Sequence, residues 1–91
     1  MNNKCIKNSK VFKAFCDENR LYILELLKNG EMCGCKLIDI TNIKQSRLSY
    51  HMKILTEAKV VTVRNEGKWS FYSINNNVKS DIISLIEYYL S

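Results

Sequence analysis

A mainly α domain carrying a single β-hairpin is what this sequence predicts, from three observations. Apolar residues recur at helical spacing through most of the chain, the stretch from Val61 to Ile74 switches to a period of two, and no proline or low-complexity tract interrupts the order. The 91 residues are 46% hydrophobic and 25% charged, enough for one modest core. A domain of this size buries roughly 60–65% of its unfolded surface, and a second copy of the chain would extend that core. One folding unit is expected, with a flexible N-terminal arm over 1–10 and the folded domain over 11–91.

Val11, Ala14 and Phe15 predict a short first helix. Asp17 is placed to cap a second, running to about Lys28, because its carboxylate can accept from the free amides of a first helical turn; Gly30 ends it. In that helix Leu21, Ile23, Leu24 and Leu27 form the inward stripe, with Arg20, Glu25 and Lys28 toward water. A short third helix is expected from Lys36 to Ile40, then a turn at Thr41-Asn42-Ile43 and a fourth helix from about Gln45 to Ala58. Leu48, Met52 and Leu55 form the core face of the fourth. Lys44 stands where Ser, Thr or Asp commonly caps, so this helix start is weakly specified.

The alternation of Val61 and Val63 with Thr62 and Arg64, and of Trp69, Phe71 and Ser73 with Ser70, Tyr72 and Ile74, predicts two paired strands. Their turn falls near Asn65-Glu66-Gly67, where glycine supplies a positive φ. Val78, Ile82, Leu85, Ile86 and Tyr89 predict a final amphipathic helix. Helices, a helix-turn-helix, a hairpin and a last helix are the order of a winged helix-turn-helix domain, mainly α with a β-hairpin wing.

Charge and cysteine usage narrow the function. Fourteen Lys and Arg against nine Asp and Glu give a net charge of +5, which favours a polyanion partner through counterion release. No apolar run reaches the roughly 20 residues that span a bilayer, and Met1 to Lys10 lacks the apolar segment of a signal peptide. No membrane partner and a cytoplasmic location are therefore expected. Four cysteines in a reducing compartment point to metal or redox chemistry rather than a disulfide scaffold. An enzyme is not expected: there is no Cys-x-x-Cys, no glycine-rich phosphate loop, and a single histidine without paired carboxylates in acid and base roles.

Cys33-Gly34-Cys35 is the most chemically pointed feature. Positions i and i+2 of a regular helix point about 200° apart, so the two sulfurs can share one ion only if one lies outside the helix, and Gly34 lets the backbone bend between them. A helix start also stabilises the thiolate, the metal-binding form. Soft thiolates select soft, thiophilic ions: As(III) or Sb(III), alternatively Cd(II) or Pb(II), over magnesium, calcium or manganese. A structural zinc tetrathiolate commonly uses Cys-x₂₋₄-Cys pairs, which this spacing does not reproduce. The contrasting reading is two small hydrophobes packing a helix start.

Four stretches carry a family resemblance. Phe12-Lys13-Ala14-Phe15-Cys16-Asp17-Glu18-Asn19-Arg20-Leu21 resembles the opening signature of the ArsR/SmtB metal-responsive repressors. Glu31-Met32-Cys33-Gly34-Cys35-Lys36-Leu37 resembles their Cys-x-Cys metal box, and Gln45-Ser46-Arg47-Leu48-Ser49-Tyr50-His51-Met52-Lys53 their recognition helix. Arg64-Asn65-Glu66-Gly67-Lys68-Trp69 with Tyr72-Ser73-Ile74 resembles their wing. The resemblance covers about Val11 to Tyr89. It implies a cytoplasmic homodimer built through the first and last helices, which represses a metal-resistance operon without needing a cofactor and leaves operator DNA when metal binds.

The resemblance also frames the ligand set. Arsenic sensors of the family often carry a third cysteine three residues beyond the pair, but that position is Ile38 here. A third thiol then comes from Cys16, whose other reading is a buried inert core thiol, or from Cys5, which the partner protomer supplies in the family's cadmium and lead sensors. One of them with the pair suits arsenite or antimonite; both suit cadmium or lead. The family's other common site, on the last helix, needs histidines, and here that helix offers only Asp81 and Glu87.

For the DNA face, Gln45, Ser46, Arg47, Ser49 and Tyr50 occupy the polar side of the fourth helix, with Gln suited to adenine and Arg to guanine in the major groove. Arg64 and Lys68 at the hairpin are expected on flanking phosphates or the minor groove. His51, the lone histidine, matches a recognition-helix residue of the family and is assigned to DNA contact or helix positioning.

Overall fold

The computed structural model describes residues 2–91. Five helices and a three-stranded sheet follow one another as α1 (Asn3–Phe15), α2 (Glu18–Leu27), β1 (Met32–Cys33), α3 (Gly34–Thr41), α4 (Gln45–Glu57), β2 (Val61–Glu66), β3 (Trp69–Ile74) and, after one 3₁₀ turn, α5 (Lys79–Leu90). The winged helix-turn-helix order is present.

Three differences from the expectations have local causes. The first helix starts at Asn3 rather than near Val11, because the Asn2 side chain accepts from Cys5 N–H at 2.9 Å and caps the free amides of the first turn. Most of the expected arm is therefore helical, and Met1 lies outside the described residues. The third helix begins at Gly34, two residues before the expected Lys36. The hairpin gains a third strand: β1 pairs antiparallel with β3, Met32 opposite Tyr72 and Cys33 opposite Phe71, giving the order β1-β3-β2. Two residues are too short for a readable alternation.

The remaining signals act as expected. Asp17 Oδ1 accepts from Asn19 N–H at 2.8 Å and Arg20 N–H at 3.1 Å, capping α2. Lys44 provides no side-chain cap, yet α4 still starts at Gln45. Asn42 takes the left-handed conformation (φ 59°) that lets the chain turn between α3 and α4, and Thr41 Oγ1 accepts from Ile43 N–H across the turn. Gly67 holds φ +60° in the wing turn.

Ala14, Ile23, Leu27, Leu37, Leu48, Met52, Leu55, Ala58, Val60 and Val61 form the core. Each large aliphatic among them gains about 1.5–3 kcal/mol on leaving water. This core fastens α3 and α4 to α2 and to the root of the wing. By contrast α5 buries no residue completely. It lies beside α1, with Asn8 donating to the Tyr89 hydroxyl at 3.0 Å and Phe12 edge-on to Tyr89. Ile6, Phe12, Ile83, Ile86 and Tyr89 on these two helices are each more than one-third exposed. Among the described residues no helix is long and apolar enough to cross a membrane.

Candidate nucleic-acid interface and thiol site

On α4 the core residues Leu48, Met52 and Leu55 turn inward, and this leaves Gln45, Ser46, Arg47, Ser49 and Tyr50 exposed. The predicted reading face is thus presented on one helix held rigidly by the core. Lys68 sits exposed at the wing turn with its ammonium 5.6 Å from the Trp69 ring centroid.

One expectation for this surface is corrected, and a second residue is found paired within the protein. His51 is only 2% exposed and points inward, so it has no access to a DNA groove; of its two assigned roles only helix positioning fits. Its Nδ1 lies 3.0 Å from Nη1 of Arg20. A guanidinium can only donate, so Nδ1 accepts and the ring proton of the neutral form resides on Nε2, which is buried without a partner among the described residues. Arg64, expected on phosphates, forms a two-pronged pair with Glu31, at 2.8 and 3.1 Å, and a second pair with Glu66, and lies over the Phe71 ring, its side chain still 52% exposed. The Glu31 hydrogen bonds, with those of Glu66, hold Arg64 well above the usual guanidinium range. The wing arginine ties the wing to the residue just before β1.

Arg20 is the residue that sequence reasoning missed. Expected in water, it is 4% exposed and donates to Ala14 O at 3.1 Å, Lys13 O at 3.0 Å and His51. It thereby joins the end of α1, the start of α2 and the middle of α4. The signal was present: positions 20, 23 and 27 share one helical face at i, i+3 and i+7, and Ile23 and Leu27 are both core. Leu21, placed on the inward stripe, is instead 50% exposed for the same geometric reason.

Burial, the largest influence on His51, pushes its pKa below the usual 6.5; Asp17 opposes this, and the charges of Arg20 and Arg47 add to it. Burial would also raise Asp17, but amide hydrogen bonds from Arg20 and Asn19 and the nearby positive charges outweigh it and hold the carboxyl below its ordinary value. In both cases the folded state binds fewer protons than the unfolded chain. The stability contributed is therefore complete above the unfolded pKa and is lost as pH falls through the folded one. The thermal midpoint is expected to be level above about pH 7.5 and to decline as pH drops below 6.5. His51→Gln is expected to remove the part of that decline that sets in as pH falls through about 6.5; an unchanged slope in the variant refutes the assignment.

The thiol pair is drawn together. Cys33 takes the N-cap position of α3 with extended backbone (ψ 144°) while Cys35 is inside the helix, the arrangement that the one-residue gap requires. Cys35 N–H donates to Cys33 Sγ at 3.3 Å, the Cα atoms are 5.3 Å apart, and the two sulfurs lie side by side in close contact. Gly34 faces the sheet closely: a Cβ there would meet Cε2 of Tyr72 at 3.4 Å, so the bend is packed against β3. Cys33 and Cys35 line a cleft of about 220 Å³ together with Gln45 and Ser49 of α4 and Lys68 and Trp69 of the wing.

The other two thiols are not brought to this pair. Cys5 is exposed on α1, in a depression beside Phe12 and Tyr89. Cys16 is exposed at the end of α1, which corrects its alternative reading as a buried core thiol. Among the described residues no group of three Cys, His, Asp or Glu side chains is gathered to hold an ion.

With this geometry in place, similarity to known proteins decides the family. Residues 17–63, from the cap of α2 to the middle of β2, match the family described as bacterial regulatory protein, arsR family. An arsenical resistance operon repressor of Bacillus subtilis is 40% identical over 79 residues, which cover 86% of this chain and 75% of that protein. The chain belongs to the arsR family. It is a winged helix-turn-helix transcriptional repressor, a DNA-binding regulator and not an enzyme. An HTH-type transcriptional regulator of Methanocaldococcus jannaschii is 45% identical over 82 residues, covering 89% of this chain and 92% of that one. In fold, the chain resembles a homodimeric winged helix-turn-helix DNA-binding domain from Mycobacterium bovis with a TM-score of 0.75, 24% identity, and coverage of 99% and 86% of the two chains.

Proposed function

We propose that this arsR-family repressor is a homodimer that binds operator DNA in the cytoplasm and is released when As(III) or Sb(III) is taken up by cysteine thiolates. One observation carries the reading: the Cys33 and Cys35 sulfurs line the same cleft as Gln45 and Ser49 of the helix that faces DNA and Lys68 of the wing. A guest gripped by the sulfurs acts directly on the elements that must fit the groove. The name of the Bacillus subtilis relative supports the choice of arsenic, and soft thiolates support it chemically.

The apolar faces of α1 and α5 supply a surface for the second copy. In such a dimer two α4 helices meet successive major grooves about 34–36 Å apart. Gln45, Arg47, Ser46, Ser49 and Tyr50 read or position the duplex, and Lys68 engages phosphate. Closing ligands around an ion bends the start of α3, and α3 packs on α4 through the shared core of Leu37 and Leu48. A coupling of about 1–3 kcal/mol lowers DNA affinity about 5- to 150-fold. With Cys33 and Cys35 as two ligands, Cys16 or Cys5 is the third, from the same protomer or from its partner. Cd(II) or Pb(II) would draw on all four.

A gel-shift titration of operator DNA with arsenite, antimonite, cadmium and lead tests the reading. Release by arsenite or antimonite at lower concentration than by cadmium or lead is expected, and no release by any of them overturns it. The wing gives a separate test. Lys68→Ala is expected to flatten the log–log salt dependence of operator binding by about one, whereas Arg64→Ala leaves it nearly unchanged because Glu31 and Glu66 already hold its donors. Equal effects of the two changes would return Arg64 to the phosphate contacts.

The closeness of the Cys33 and Cys35 sulfurs supports a second reading, a repressor that responds to thiol oxidation. There a peroxide takes both thiol hydrogens, the sulfurs join and water leaves. Thiol counting after peroxide, set beside operator release, separates the two: release by peroxide with loss of two thiols, and none by arsenite in the reduced protein, selects oxidation.

A further inference from the structure

We propose that Glu31 is a positioning residue for DNA binding: through Arg64 it braces the wing, so that Lys68 meets the duplex backbone from a place already fixed. The proposal rests on Lys68 being a phosphate contact and stands apart from the choice of inducer.

The wing is only partly supported by its own sheet. The short strand β1 pairs with β3 at Tyr72 and Phe71. Toward the tip the hairpin continues as two strands, with Asn65 opposite Ser70 and Glu66 opposite Trp69, before the turn that carries Gly67 and Lys68. Thr62 to Trp69 are all exposed, so the core does not fix this part. A two-stranded ribbon by itself is marginally stable in water. The hydrogen bond from Ser70 Oγ to Asn65 Oδ1, at 2.8 Å, joins its two strands to each other and not to the rest of the domain.

Arg64 stands at the last three-stranded row before this ribbon. Cys33, Phe71 and Arg64 are partners across β1, β3 and β2. The guanidinium lies 4.6 Å from the Phe71 ring centroid, and its Nε and Nη2 donate to the two carboxylate oxygens of Glu31. A planar fork on a carboxylate fixes direction as well as distance. Hydrogen bonding from Arg64, the largest influence, holds the Glu31 carboxyl below its ordinary value, so the pair is ionic at neutral pH. Glu66 also pairs with Arg64, but it belongs to β2 and moves with the wing. Of the two carboxylates, Glu31 ties the arginine to a point outside the hairpin. Without that tie Lys68 can still reach phosphate, but the ribbon must then be ordered on binding. Affinity falls, whereas the number of phosphate contacts, and with it the salt slope, stays the same.

The test compares Glu31→Ala with Glu66→Ala in the full chain, reduced and without added metal. Each change takes one carboxylate from Arg64 and alters the net charge equally, but only the first cuts the tie outside the hairpin. Gel shift with operator DNA reads affinity over a range of salt. A random-sequence duplex at low salt reads the same contact, because phosphate contacts carry no sequence information. Glu31→Ala is expected to bind about two- to fivefold more weakly than Glu66→Ala, the range of an exposed ion pair, at equal salt slopes. In the Lys68→Ala background that difference is expected to vanish. Equal affinities overturn the proposal, as does a difference that persists without Lys68, which would make the pair a general support of the fold. Tighter binding by Glu31→Ala, with a slope steeper by about one, also overturns it, since Arg64 would then be a phosphate contact that Glu31 withholds. Should Lys68→Ala alone leave affinity and slope as in the parent, the reading of Lys68 fails and the proposal with it.

Discussion

Arg20→Leu is expected to lower the unfolding free energy by about 2–4 kcal/mol, a large share of the stability of so small a domain. Leucine keeps much of the buried volume but removes every donor. The carbonyl of Ala14 and Nδ1 of His51 then lose their shared partner, while Lys13 O keeps the Cys16 N–H at 3.0 Å. An unsatisfied buried acceptor costs about 1–3 kcal/mol, and two are orphaned here, with partial relief by water at the edge of the site. Arg20→Lys is not expected to rescue, because an ammonium cannot reproduce a planar fork serving three acceptors around it. Urea unfolding at one fixed protein concentration, chosen because dimerisation couples to stability, checks the value. A change within about 0.5 kcal/mol would mean that Arg20 is an ordinary surface residue.

The second large effect concerns regulation. Cys33→Ser/Cys35→Ser is expected to bind operator as the parent does and to lose the whole of the inducer response, about 5- to 150-fold in affinity. Serine preserves size and can still cap α3 from position 33, so the fold and the exposed face of α4 are retained. What disappears is the soft, polarisable donor pair. Gel-shift titration with arsenite reads the outcome, and a variant that fails to bind DNA at all would show that the pair supports the reading head itself rather than its release.

Much of this molecule can be read from its residues because most of its signals are local. Asp17 caps α2 through its own chain neighbours, Asn42 turns between α3 and α4 in the conformation its short side chain tolerates, and Leu48, Met52 and Leu55 mark the inner face of α4 by spacing alone. The thiol pair was legible in part: the one-residue gap requires one sulfur outside the helix, and Cys33 is the one that caps, but the helix start read at Lys36 missed that Cys35 is already helical. The start of α1 was harder: Asn2 was as good a cap as Asp17, but the apolar pattern near Val11 was the stronger signal and drew the boundary inward.

The sequence by itself determined the order of elements, the inner and outer faces of α4 and the closeness of Cys33 to Cys35, all consequences of interactions a few residues apart. Only the tertiary structure decided that His51 faces Arg20 instead of DNA, that Arg64 is held by Glu31 across 33 positions, and that the sulfurs share a cleft with Gln45, Ser49 and Lys68. Those are meetings between elements distant along the chain. Burial in a shared core, rather than the character of any one side chain, chooses which charged groups turn inward and which remain for a partner.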